Sequence, residues 1–157
     1  MRAPKSSTEY QFKISLKGSR RASRTIALRG DQTLDDLHEA IFAAFDRFDP
    51  HLYSFYFPKG PSRRGRTGPQ PKEYTASQMF DEPDALDGDR RFDASETKLD
   101  DLRLRPGQRF EYLFDFGDAW WHAVAVEGIN PIVSRSKYPR FLESRGKSPP
   151  QYEVVDE

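Results

Sequence analysis

Residues 112–122, Tyr-Leu-Phe-Asp-Phe-Gly-Asp-Ala-Trp-Trp-His, set two carboxylates, Asp115 and Asp118, and the imidazole of His122 among Tyr112, Phe114, Phe116, Trp120 and Trp121. A carboxylate that orients an imidazole is the minimum for general-base work or for one arm of a metal site. The same pair is also a common way to satisfy a half-buried histidine. Aromatic side chains with a few fixed polar groups make recognition surfaces as well, because they bury much area at small entropic cost. The residues offered to a ligand or partner are therefore Asp115, Asp118, Trp120 and His122, with His51 as a candidate from outside the stretch.

A hairpin must position these groups. Gly117-Asp118 between the strands Arg-Phe-Glu-Tyr-Leu-Phe-Asp-Phe and Ala-Trp-Trp-His-Ala-Val-Ala-Val-Glu suits a two-residue type II′ turn. That register sets Phe116 opposite Ala119, Asp115 opposite Trp120, Phe114 opposite Trp121 and Leu113 opposite His122. It sends Trp121 to the core face and makes Asp115 and His122 diagonal neighbours on the other face, about 7–8 Å apart along the backbone.

The remaining elements follow from periodicity. Tyr10, Phe12, Ile14 and Leu16 alternate with polar residues and predict a half-buried strand, followed by a second in Arg-Thr-Ile-Ala-Leu-Arg-Gly. Thr33 as N-cap, with Asp35 and Asp36 in the first turn, predicts a helix whose stripe is Leu34, Leu37, Ile41, Phe45 and Phe48 and which ends near Asp49-Pro50. His38 lies at the edge of that stripe as a core histidine, and His51 opens a third strand with Tyr53, Phe55 and Phe57 on one face. Polar loops are expected at 58–72 and 81–96, the second with a short helical turn or edge strand around it. Pro106-Gly107 reads as a turn, and from Pro131 a proline-rich segment is laid over the surface. The fold class is α+β: a single domain over 1–157, core about 8–130, with a mixed sheet packed against one main helix in a β-β-α-β start and an aromatic C-terminal hairpin.

Composition narrows the function classes. The 157 residues carry 25 Lys and Arg against 25 Asp and Glu, so no global basic field suggests nucleic-acid binding. Absence of cysteine removes disulfides, thiol nucleophiles and cysteine zinc sites, and suits a reducing cytoplasm. No run reaches the length of a membrane span, and the N-terminus lacks the apolar region of a signal peptide. Asp-Phe-Gly has none of the other kinase signatures around it, no serine sits in a nucleophile elbow, and the histidines lack a tight metal-ligand spacing. Neither a cofactor nor a metal is expected.

Five segments, Thr-Leu-Asp-Asp-Leu-His-Glu-Ala-Ile-Phe-Ala-Ala-Phe, His-Leu-Tyr-Ser-Phe, Lys-Leu-Asp-Asp-Leu, the stretch from Phe110 to His122, and Tyr-Pro-Arg-Phe-Leu-Glu-Ser-Arg-Gly-Lys-Ser-Pro-Pro-Gln-Tyr-Glu, together resemble the plasmid pRiA-type open-reading-frame-three-like family. The resemblance spans about residues 8–155, and Asp115 to His122 is its most specific part. It implies a compact α+β domain and no established enzyme activity. Some members carry C-terminal cysteines and a Pro-Pro-Glu-Asp segment, whereas this chain has Ser-Pro-Pro-Gln-Tyr-Glu and no cysteine.

The leading reading is a non-enzymatic binding or adaptor domain that presents the aromatic and acidic hairpin face to a protein or small-molecule partner. A metal-assisted hydrolase using Asp115 and His122 is the alternative. Nucleic-acid binding through Arg20, Arg21, Arg24, Arg63, Arg64 and Arg66 is a third, with the zero net charge weighing against it.

Overall fold

The computed structural model describes residues 6–18, 22–58, 72–80 and 91–151. The expected loops at 58–72 and 81–96 therefore fall largely outside the described residues, as do Arg20, Arg21, Arg63, Arg64 and Arg66. Among the described residues, eight strands form one mixed sheet: β1 (Thr8–Leu16), β2 (Ser23–Arg29), β3 (Tyr53–Phe57), β4 (Lys72–Thr75), β5 (Arg91–Asp93), β6 (Arg109–Phe114), β7 (Trp120–Pro131) and β8 (Arg140–Arg145). Their order is β5-β4-β3-β6-β7-β1-β2-β8, antiparallel throughout except for the parallel β4/β5 pair. One α-helix, α1 (Leu34–Ala44), packs on one face, so the molecule is a sheet-dominated form of α+β.

Alternation explains the core. Phe12 and Ile14 on β1, Ile26 and Leu28 on β2, Phe55 on β3, Phe110, Tyr112 and Phe114 on β6, and Val124 on β7 are all buried against Leu34, Leu37 and Ile41 of α1. Each fully buried large side chain stabilises the fold by about 1.5–3 kcal/mol. Thr33 caps α1 as its sequence predicts: its Oγ1 accepts from Asp36 N at 3.2 Å, and Asp36 Oδ2 accepts from Thr33 N at 2.8 Å. The helix is shorter than its apolar stripe. It stops at Ala44 because Asp46 adopts a left-handed conformation (φ 54°), which leaves Phe48 exposed and Pro50 well beyond the end.

The central hairpin differs from the two-residue turn by one position. Phe114 pairs with Trp120, Leu113 with Trp121 and Tyr112 with His122, so five residues, 115–119, form the loop. A one-residue slip exchanges the faces of one strand against the other. His122 therefore joins Tyr112 on the core face, while Trp121 goes to the outer face, 5.6 Å from the Tyr56 ring and 5.8 Å from Lys17 Nζ. The cause is local. Asp115 leaves the strand at φ 62°, its Oδ1 accepts from Gly117 N at 3.0 Å and Asp118 N at 3.3 Å, and its N–H donates to Leu52 O. Ala119 N closes the loop on Asp115 O, also at positive φ (55°).

The C-terminal segment is also more ordered than a surface strap. It contributes β8 to the sheet edge beside β2. Ser148 Oγ then donates to Phe45 O, and Gln151 receives the N–H groups of Phe48 and Asp49 while donating to Asp49 O. Among the described residues, no helix is long and apolar enough to cross a membrane.

Candidate functional site

The residue stretch that leaves α1 and the loop that joins β6 to β7 meet at one end of the sheet. His51 sits between them, its Nε2 3.5 Å from both Asp115 Oδ2 and Asp49 Oδ2, with its ring edge against Phe114. Asp115 thus pairs with His51, and the expected Asp115–His122 pair is not formed. Asp118 is exposed at the loop tip, Trp120 is half-buried against the core, and His122 is fully buried.

His122 owes its burial to the shifted register. Arg47 Nη2 lies 3.0 Å from its Nε2 and can only donate, so the ring proton is on Nδ1, directed at Tyr112 O at 3.3 Å. Burial, reinforced by the Arg47 charge, lowers its pKa to about 3, which keeps the ring neutral. Both nitrogens are occupied, and neither is available to take a proton from a substrate.

His38 is held in a matching way. Its ring stacks on Tyr53 at 3.7 Å, and Nδ1 lies 2.6 Å from the Tyr112 hydroxyl. Tyr112 is fully buried, and burial raises its pKa well above the usual phenol value. With no other acceptor for the phenol among the described residues, the hydroxyl donates to Nδ1, which leaves the His38 proton on Nε2. Burial and then Arg47 lower His38 to about 3 as well.

His38 Nε2 lies 3.8 Å from Glu39 Oε1 on the wall of a polar cleft of about 470 Å³. Asp35, His38, Glu39, His51, Tyr53 and Gln78 contribute to that wall. The Tyr53 hydroxyl donates to Asp35 Oδ1 at 2.5 Å, and its pKa is raised by burial and by that carboxylate. Glu39 is also raised, by burial and by the like charges of Asp35 and Asp36. Among the described residues lining the cleft there is no lysine or arginine. No group of three or more His, Asp or Glu side chains among them is arranged to hold a metal ion.

Sequence reasoning named His51 and Asp115 but missed Asp35, Glu39, Tyr53 and Arg47. Asp35 reads as a helix-dipole residue and Tyr53 as core, and each is also a wall of the cleft. Arg24, one of the arginines considered for nucleic acid, is buried: Nε donates to Ala44 O at 2.8 Å, and Nη1 lies 2.8–2.9 Å from Ser23 O, Arg145 O and Gly146 O. It fastens the end of α1 to β2 and β8 and presents no charge to a phosphate.

One helix on a sheet-dominated mixed fold, with a looped aromatic hairpin at its centre, defines the structural class. A model of the plasmid pRiA4b ORF-3-like proteins matches residues 8–152, and the chain belongs to that family. It is 33% identical over 119 residues to y4hQ, an uncharacterised protein of Sinorhizobium fredii (strain NBRC 101917 / NGR234). The aligned region covers 75% of this chain and 52% of y4hQ, so the chain spans about half the length of that curated relative. MM3350, a protein of unknown function from Methanosarcina mazei Go1, has a crystal structure that matches with a TM-score of 0.70 and 27% identity, over 93% of this chain and 74% of that one.

Proposed function

We propose that this protein is a non-enzymatic binding module and that its ligand is a cationic group, an ammonium or guanidinium, received in the cleft beside α1. The observation that carries the reading is the cleft itself: Asp35 and Glu39 line it with no lysine or arginine among the described lining residues, so carboxylate oxygens are there to accept from an N–H cation, and His38, kept neutral by burial, adds no opposing charge. His51, linked to Asp115 and Asp49, lines the cleft as well, and Asp118 and Trp120 belong to the adjoining hairpin. Two neutral histidines, His122 with both ring nitrogens occupied and His38 with its Nδ1 held by Tyr112, support binding over catalysis. The binding unit is the whole chain as one domain, with the C-terminal segment from 131, of which 152–157 lie outside the described residues, belonging to the same unit as the core of about 8–130. Its lack of cysteine favours a cytoplasmic setting.

The test is fluorescence anisotropy with labelled ten-residue peptides, one lysine-rich and one glutamate-rich. The lysine peptide should bind preferentially and weaken with added salt. Glu39→Gln, at a largely exposed position on the cleft wall, should reduce that affinity several-fold without loss of fold. Preference for the acidic peptide, or equal binding by Glu39→Gln, defeats this reading.

A further inference from the structure

Among the described residues, two buried side-chain N–H donors have no acceptor. Arg47 Nη1 and Trp120 Nε1 are both out of contact with solvent and without a hydrogen-bond partner, although folded proteins satisfy nearly all such groups. Arg47 is 6% exposed, and among the described residues no carboxylate pairs with it. Its guanidinium lies 5.5, 5.0 and 5.2 Å from the ring centroids of Phe45, Phe114 and Trp120. Ring faces and the nearby carboxyl end of α1 stabilise the cation only in part, and the neutral His122 adds no negative charge.

The two orphans belong to one place. Phe114 and Trp120 are cross-strand partners at the root of the 115–119 loop, and the guanidinium lies over both rings. We infer that Arg47 and Trp120 form a carboxylate-binding site: one ligand oxygen accepts from Arg47 Nη1, the other from Trp120 Nε1, and the ligand charge neutralises the guanidinium. A carboxylate suits the site better than a phosphate dianion. The cage supplies one full positive charge and otherwise apolar ring faces, so a second negative charge would be desolvated without compensation. The site lies at the root of this loop, in which Asp115 and Ala119 hold φ values of 62° and 55°, a conformation that costs backbone strain at Ala119.

The experiment uses the full chain carrying Trp121→Phe, which removes the indole on the outer face and leaves Trp120 alone. Its indole N–H resonance is followed by NMR as sodium acetate is added, against sodium chloride of equal ionic strength. A saturable downfield shift with acetate and none with chloride is expected. Arg47→Lys keeps the charge but loses the planar fork, and should weaken the acetate response at least tenfold. A peptide capped at both ends and carrying one glutamate separates the sources: a response to acetate alone assigns a free small acid, a response to both an acidic protein side chain. If Arg47→Lys loses its amide dispersion, Trp120→Phe followed at the Arg47 Nε–H resonance replaces it, with the same tenfold criterion. No saturable shift with either probe, or undiminished acetate affinity in the variant that folds, overturns the site and leaves the two donors to buried water.

Discussion

The hydroxyl of Tyr112 donates to Nδ1 of His38 over 2.6 Å, so the middle strand of the sheet and the only α-helix of the described residues are joined by a polar bond inside the core. Both partners are buried. Tyr112→Phe keeps the ring packing but leaves the imidazole nitrogen without its donor, which should lower stability by about 1–3 kcal/mol. Urea unfolding measures this, and a loss below about 0.5 kcal/mol would show that the bond contributes little.

Acid should unfold the protein through its two core histidines. His38 and His122 titrate near pH 3 when folded and near 6.5 when unfolded. Between those values the unfolded chain holds more protons, so stability rises with pH across that window and is lost as pH falls from 6.5 towards 3. Well below 6.5 the two together give a slope of up to about 2.7 kcal/mol per pH unit. His122→Asn should remove up to half of it, read from urea midpoints between pH 4 and 7. Midpoints that do not move between pH 7 and 5 would contradict neutral burial of both rings.

Strain in the hairpin loop is placed at Ala119, not at Gly117. Ala119 has a positive φ, whereas a Cβ on Gly117 would meet only Asp115 Oδ1 at an ordinary 3.4 Å. Ala119→Gly should therefore raise stability by about 0.5–1 kcal/mol, and Gly117→Ala should change it by less than about 0.5 kcal/mol. Thermal melts that reverse this ranking would restore a two-residue turn.

Arg24 acts as a clasp whose geometry lysine cannot reproduce. Its guanidinium reaches carbonyls on α1, β2 and the end of β8 and lies 4.9 Å from the Phe45 ring. Arg24→Lys should cost about 2–3 kcal/mol in urea unfolding while leaving any affinity for nucleic acid unchanged. A variant of native stability but altered nucleic-acid binding would reverse both statements.

Local chemistry was readable where it was self-contained. The alternation of β1 and the Thr33–Asp36 capping box each depend on residues a few positions apart, and both stand as the pattern predicts. The hairpin register was not readable, because Gly117-Asp118 mimics a tight turn while the decisive bonds come from the Asp115 carboxylate and from Leu52 O across the fold. Nothing in the residues beside Arg47 marks it in the sequence. Its cage exists only once Phe114 and Trp120 arrive from a distant segment. Strand β8 carries no alternation since nearly all of it is exposed, which removes the signal by which a half-buried strand is recognised.

The position of the β6/β7 hairpin has a consequence for how the chain is made. In the sheet order it lies between β3 on one side and β1 on the other, yet it is synthesised after both. Until residue 131 has left the ribosome, the nascent chain holds two separate ribbons, β1/β2 and β3/β4, each with an open edge and an apolar face awaiting the same late arrival. Long-range pairing of this kind is slow. A chain arrested before β7 should therefore be a strong chaperone client and prone to self-association, and release of β7 should be the step that ends that vulnerability.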